Sequence, residues 1–153
     1  MDIKVLSARK IRMGFDCAKK FKFYITGLTV IERGQISYRM TKVFLNLEMP
    51  AIYDLVLDFF MVGGEVDRSK ITQVIRKIGD IIAVYVKQGF DIEESSVFVL
   101  HNKRTGEVVV KLIDLSYFHY GNNQNLLISL RNIRLFFIKL LTFVQKSNSK
   151  LLE

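Results

Sequence analysis

Residues 20–26 read Lys-Phe-Lys-Phe-Tyr-Ile-Thr, with Phe21, Phe23 and Ile25 on one side and Lys20, Lys22, Tyr24 and Thr26 on the other. A period of two belongs to a β-strand with one face buried and one in water. The apolar face of such a strand must be covered by another layer, so a layered sheet-and-helix fold is expected. The strand extends over Lys20–Glu32 and is expected to form a long hairpin with Val5–Phe15 across a turn near residues 16–19. A second turn at Arg33-Gly34-Gln35 leads to a strand over Ile36–Leu47.

The strongest internal signal is an apparent repeat. Phe44–Met61 aligns with Leu127–Val144 without a gap, bringing Leu47 onto Leu130, Tyr53 onto Phe136 and Phe60 onto Phe143. Each copy reads as a short strand running into a helix, with Pro50 in the first helical turn of one and Asn132 as N-cap of the other. Gly63-Gly64 is expected to stop the first helix. The second copy continues the parallel with Ser96–His101, a turn over Asn102–Gly106, Glu107–Phe118, a polar loop over His119–Asn125, and a strand at Leu126–Leu130. Gly106 supplies the positive φ that such a turn needs. Between the copies, Asp67 is a plausible N-cap and Gly79-Asp80 is expected to divide a helix, about 67–79, from a strand at Ile81–Val86. The expected fold class is therefore α+β: two tandem β-sheet-plus-helix (ββββα-like) repeats in a pseudo-twofold arrangement. Residues 1–153 form a single domain on this reading, with repeat 1 at about 4–62 and repeat 2 at about 81–146.

Composition narrows the function. Half of the 153 residues are hydrophobic and a quarter are charged, which suits a packed core and not a disordered chain. Cys17 is the only cysteine, so neither an intramolecular disulfide nor a cysteine-based zinc cluster is available. The most apolar stretch, Asn125–Val144, is interrupted by Arg131, Arg134 and Lys139, which argues against a membrane span. The opening residues have no secretory pattern, so an intracellular location is expected. His101 and His119 stand in no metal-type spacing, and no Walker loop, GxGxxG or GxSxG occurs. Val110-Lys111-Leu112-Ile113-Asp114 bears a faint likeness to the metal-binding strand of protein kinases. No glycine follows Asp114, and no HRD or glycine loop precedes it, so Asp114 reads as a plain strand-end carboxylate. No catalytic residue, metal site or cofactor is expected.

The net charge of +8 is unevenly spread: +6 over residues 1–48, −3 over 49–95 and +5 over 96–153. A basic surplus on strand regions suits a polyanionic partner. Lys20, Lys22 and Tyr24 on one strand face, Arg39 and Lys42 on the next strand, Lys103-Arg104 at a hairpin tip and Lys111 on the following strand are the candidate contacts. Cations beside an aromatic ring are the means of gripping phosphates and stacking bases.

The second copy, SVFVLHNKRTGEVVVKLIDLSYF followed by NQNLLISLRNIRLFFIKLLTFV, resembles the Pur-alpha repeat. The matching pieces are Phe98–His101, Asn102–Gly106, Val109–Leu112 and Leu127–Leu130 before the last helix. Pur-alpha is grouped with the Whirly proteins and positive cofactor four, whose ββββα units bind single-stranded nucleic acid on a curved sheet. The resemblance implies turn contacts at Asn102 and Lys103 and a strand cation at Lys111, while Val109 stands where that family stacks an aromatic ring. The combined expectation is a non-enzymatic protein that binds single-stranded DNA or RNA, pairs with further copies of itself in a dimer or higher oligomer, and does not bind a membrane. The Lys-, Ile- and Asn-leaning vocabulary suggests an AT-rich bacterial or viral genome. The alternative expectation is an interaction or assembly module that oligomerises through its apolar helices, whose feature is the Phe- and Leu-rich run Leu135–Val144.

Overall fold

A computed structural model describes residues 1–5, 21–32, 35–41, 48–88, 90–115, 117–120 and 124–149. The architecture is α+β. In chain order, β1 is Asp2–Val5, β2 Phe23–Glu32, β3 Gln35–Thr41, α1 Met49–Phe60, β4 Met61–Val62 and β5 Glu65–Val66. There follow α2 Arg68–Val86, β6 Phe90–Glu93, β7 Ser96–Asn102, β8 Glu107–Ile113, β9 Tyr117–Tyr120 and α3 Asn125–Ser149. Five strands form one antiparallel sheet in the order β3-β2-β1-β7-β8, while β4-β5 and β6-β9 are separate two-stranded ladders.

β1 is short but central, and its alternation splits the sheet's two roles. Ile3 and Val5 are fully buried on the core face, and Asp2 and Lys4 point the other way. The same division runs through β2, where Phe23, Ile25, Leu28 and Val30 are buried, and through β7, where Val97 and Val99 are. A register shift between Val30 and Ile31 interrupts the β2–β3 ladder. The helices cover the core face. Ile52, Val56, Phe59 and Phe60 from α1 meet Ile71, Val74 and Ile78 from α2 and Leu126, Leu130, Ile133, Phe137 and Leu140 from α3. Phe137 packs edge-on against both Phe60 and Phe136, with centroids 6.2 and 5.3 Å away. Edge-on pairs of this kind add to the stabilisation from burial alone.

Several expected elements are borne out in outline. α1 ends at Phe60, and Gly63 and Gly64 form the turn of the β4–β5 ladder with φ of +62° and +88°. Two consecutive positive φ values favour glycine at such a hairpin turn. Asp67 caps α2, its carboxylate accepting from the backbone N–H groups of Ser69 and Lys70. Gly106 has φ +70°, and its N–H donates to Asn102 O at 2.8 Å.

The tandem repeat is not reproduced. Leu126–Leu130, read as a strand, is the first turn and more of α3, because Leu126, Leu130, Ile133, Phe137 and Leu140 recur at helical spacing and are all fully buried. Asn132, read as an N-cap, lies inside that helix and donates through Nδ2 to Phe21 O at 2.9 Å. Ile81–Val86 is not a strand but the last part of α2. Gly79 sits within the helix; a Cβ there would meet the Arg134 guanidinium at 3.5 Å. A lone interior glycine costs about 1 kcal/mol, too little to break a helix whose Ile71, Val74 and Ile78 are held in the core. The second hairpin also ends early: β8 stops at Ile113, and Tyr117–Tyr120 pairs instead with β6. Strands from both supposed copies therefore lie in one sheet, joined through β1.

Candidate active site

The face of the sheet opposite the helices carries its charged groups on neighbouring strands. Register places Lys4 beside Tyr24 on β2 and Ser96 on β7, with Ile113 next to Ser96 on β8. One step along, Asp2 lies beside Phe98, which is paired with Lys111. Asp114 follows directly at the end of β8. Its carboxylate is 2.7 Å from the Lys4 ammonium, and the same oxygen accepts from the Ser96 hydroxyl at 3.5 Å. Thr26 donates to Asp2 Oδ2 at 2.6 Å, and Asp2 Oδ1 is buried without a hydrogen-bond partner.

Electrostatics follow from this crowding. Burial pulls the Lys4 ammonium pKa down, but the hydrogen bond from Lys4 to Asp114 and the fields of Asp114 and Asp2 outweigh it, so the pKa lies above its ordinary value. Burial raises the Tyr24 phenol, and Asp2 and Glu94 add to the rise against the opposing pull of Lys4. The ammonium is thus held firmly charged beside two carboxylates.

The backbone is strained at the same end. Lys22, Glu94 and Asp114 are the non-glycine residues with positive φ among the described residues, at 60°, 60° and 61°. They stand just before β2, just before β7 and just after β8. Each such residue costs about 1–3 kcal/mol and persists only where the surroundings enforce it, a condition concentrated at functional sites. Part of the enforcement is visible: Ser129 donates to Lys22 O at 2.7 Å, so α3 fixes the turn into β2 from below.

The described residues expected to hold nucleic acid are spread over both ends of the sheet. Lys20 and Lys42 lie outside the described residues, and Arg39 is on β3 opposite Thr29. Lys22 and Tyr24 lie at the strained end. Asn102, Lys103 and Arg104 occupy the other end of β7, about 20 Å from Ser96 at about 3.3 Å per residue. There Asn102 Oδ1 accepts from the N–H groups of Arg104 and Thr105, and Lys103 Nζ donates to Asp58 O at 3.4 Å. These groups shape a turn and fasten it to the end of α1. Lys111 is exposed on the open face, in the same row as Asp2. Asp2 and Lys4 were not singled out in the sequence. Their signal was an Asp-x-Lys alternation on a strand, legible only once that strand is known to pair with the one leading into Asp114.

No protein-family model matches the chain, and no curated protein matches its sequence. Solved structures do match its fold. A structure from work on the structure and engineering of inositol phosphate multikinase superposes with a TM-score of 0.68 at 18% identity, covering 91% of this chain and 78% of that one. The inositol phosphate multikinase Ipk2 of S. cerevisiae, solved with ADP and Mn2+, superposes with a TM-score of 0.70 at 11% identity, covering 92% and 77%. This chain shares their fold.

That finding overturns the resemblance to Pur-alpha, Whirly and positive cofactor four, and with it the non-enzymatic reading and single-stranded DNA or RNA as the partner. The misreading has a physical origin. Antiparallel strands with charged outer faces, a polar turn and an apolar helix recur wherever a sheet is covered on one side only. The described strands carry Lys4, Arg39 and Lys111 against six acids, so the basic surplus of the segments does not lie on those strands.

Proposed function

We propose that the open face of the sheet carries a kinase-like site that transfers a phosphoryl group from a nucleoside triphosphate to a phosphorylated polyol of the inositol phosphate class. The observation that carries this reading is the convergence of Asp2, Lys4 and Asp114 from the ends of β1 and β8 at strained backbone. The shared fold with inositol phosphate multikinases supports it, one of them holding ADP and Mn2+.

Phosphoryl transfer depends chiefly on positioning and on neutralising charge. Among the described residues no three His, Cys, Asp or Glu side chains gather to form a metal cage. A magnesium-class ion needs no such cage: one or two carboxylates suffice, with phosphate oxygens and water completing its shell. The half-exposed carboxylate of Asp114 fits that demand, and Asp2 Oδ1 is an acceptor without a hydrogen-bond partner. Such an ion would draw charge from the phosphates. Lys4, now bonded to Asp114, is placed to turn its ammonium to a phosphate oxygen when the carboxylate is otherwise engaged. Thr26 fixes the orientation of the Asp2 carboxylate through its bond to Oδ2.

The test is a transfer assay with the full chain, Mg2+ or Mn2+, ATP labelled at the γ-phosphate and an inositol trisphosphate. Label should pass to the inositol phosphate with ADP released, and chelation or Asp114→Asn should stop it. Absence of both transfer and metal-dependent nucleotide binding would overturn the reading.

A further inference from the structure

α3 carries a second charged surface, remote in role from the sheet. Its 25 residues include no Asp or Glu. The buried side of the helix is formed by Leu126, Leu130, Ile133, Phe137 and Leu140. Outward-facing aliphatic residues are also present: Ile128 is 42% exposed, Leu135 46% and Ile138 38%. Arg131 and Lys139 are exposed between and beside them. Positions 128, 131, 135, 138 and 139 follow steps of three and four, so they lie along one line of the helix surface. The line is about 16 Å long at 1.5 Å per residue.

Beside this line Arg134 turns towards α2, its Nε donating to Ile75 O at 3.4 Å and lying against Gly79.

We propose that this outward face of α3 docks on an anionic lipid surface. A line of aliphatic side chains between cations on a straight helix can meet a plane at all its points together, the aliphatics entering the acyl boundary while the cations hold headgroup phosphates. Charge decides against a second copy of the chain. A twofold contact sets the same patch against itself, which would bring Arg131 and Lys139 onto their own counterparts with no acid on α3 to pair them.

Co-sedimentation of the intact protein with phosphatidylcholine vesicles, and with vesicles also containing phosphatidylserine, tests the proposal. Binding to the anionic vesicles alone, weakening as salt is raised, is expected. Arg131→Glu with Lys139→Glu should weaken it at least 25-fold, at about five-fold per cation removed. Leu135→Gln should weaken it without changing the charge, and Lys103→Glu with Arg104→Glu, at the hairpin tip, should leave it intact. Arg131, Leu135, Lys139 and Arg104 are exposed and Lys103 partly so, and unchanged thermal unfolding verifies that the variants remain folded. The proposal is overturned if anionic vesicles bind no protein at low salt, if the hairpin-tip variant loses binding as fully as the α3 variant, or if Leu135→Gln instead dissolves a dimer that ignores lipid. Phosphoryl transfer in solution does not enter these readouts, so the proposed activity stands or falls separately.

Discussion

The two faces of the five-stranded sheet are made by the same strands and have opposite characters. On one face Ile3, Val5, Ile25, Leu28, Val97 and Val99 are almost wholly removed from water beneath three helices. On the other, one residue away in each strand, Asp2, Lys4, Tyr24, Thr26 and Lys111 meet solvent or one another. Alternation lets a four-residue strand such as β1 serve both: its odd positions anchor the fold and its even positions place Asp2 and Lys4 on the open face. Because β1 is the central strand, any looseness on the core face would move Asp2 and Lys4 relative to Asp114. Stability and activity should therefore separate on the open face and fall together on the core face.

The comparison is broken most severely at the centre of the core. Phe137→Ala should cost about 3–5 kcal/mol, a large fraction of the stability of a small domain, and should remove activity with it. Urea unfolding checks this through a lower midpoint. On the open face, Asp114→Asn should reduce phosphoryl transfer by about 100-fold or more, the usual loss when a group that stabilises transition-state charge is removed. Its unfolding midpoint should barely move, since a partly exposed ion pair contributes about 0–1 kcal/mol. If Asp114→Asn unfolds the chain, the division between the faces is wrong.

Smaller effects sharpen the same division. Asp67→Ala removes the cap of α2, on the core side, and should cost about 1 kcal/mol while leaving transfer unchanged. The Ser69 hydroxyl, with the backbone N–H groups of Lys70 and Ser69, holds the Asp67 carboxyl below its ordinary value of 3.8 against the opposing effect of burial. A depressed folded-state pKa gives stability that is present above the unfolded value and lost as pH falls through the folded one. The difference between Asp67→Ala and the parent should therefore narrow below about pH 4, as equilibrium unfolding at a series of pH values would reveal. Lys4→Met should have the smallest effect on stability. Its raised pKa means that its contribution is complete below pH 10.5 and lost only as pH rises through the folded value, so the variant's deficit should be constant across neutral pH.

How legible the fold was depended on the range of the interactions. Local signals held: the alternation around Phe23 and Ile25, the cap at Asp67 and the positive φ at Gly106 each depend on a few neighbouring residues. Errors arose where an apolar run fits two periods. Leu126–Leu130 is equally apolar as a strand or a helix turn, and only the burial of Ile133, Phe137 and Leu140 behind it decides for the helix. Ile81–Val86 was misread because Gly79 was treated as a stop, whereas α3 packs against it. The site was less legible still. Asp2 and Asp114 are separated by most of the chain, and nothing local links them. Tyr24 and Lys111 were noticed for their chemistry but assigned to a partner that the fold does not favour.

The sequence by itself determined the α+β class and the one-sided strands, because side-chain alternation and turn chemistry act within a few residues. Only the tertiary structure decided that β1 joins both hairpins into one sheet and that Lys4 meets Asp114. Strand pairing is a contact across the chain, and its hydrogen bonds come from backbone groups that every residue has in common. A charged residue's role was therefore set by which strand lay beside it.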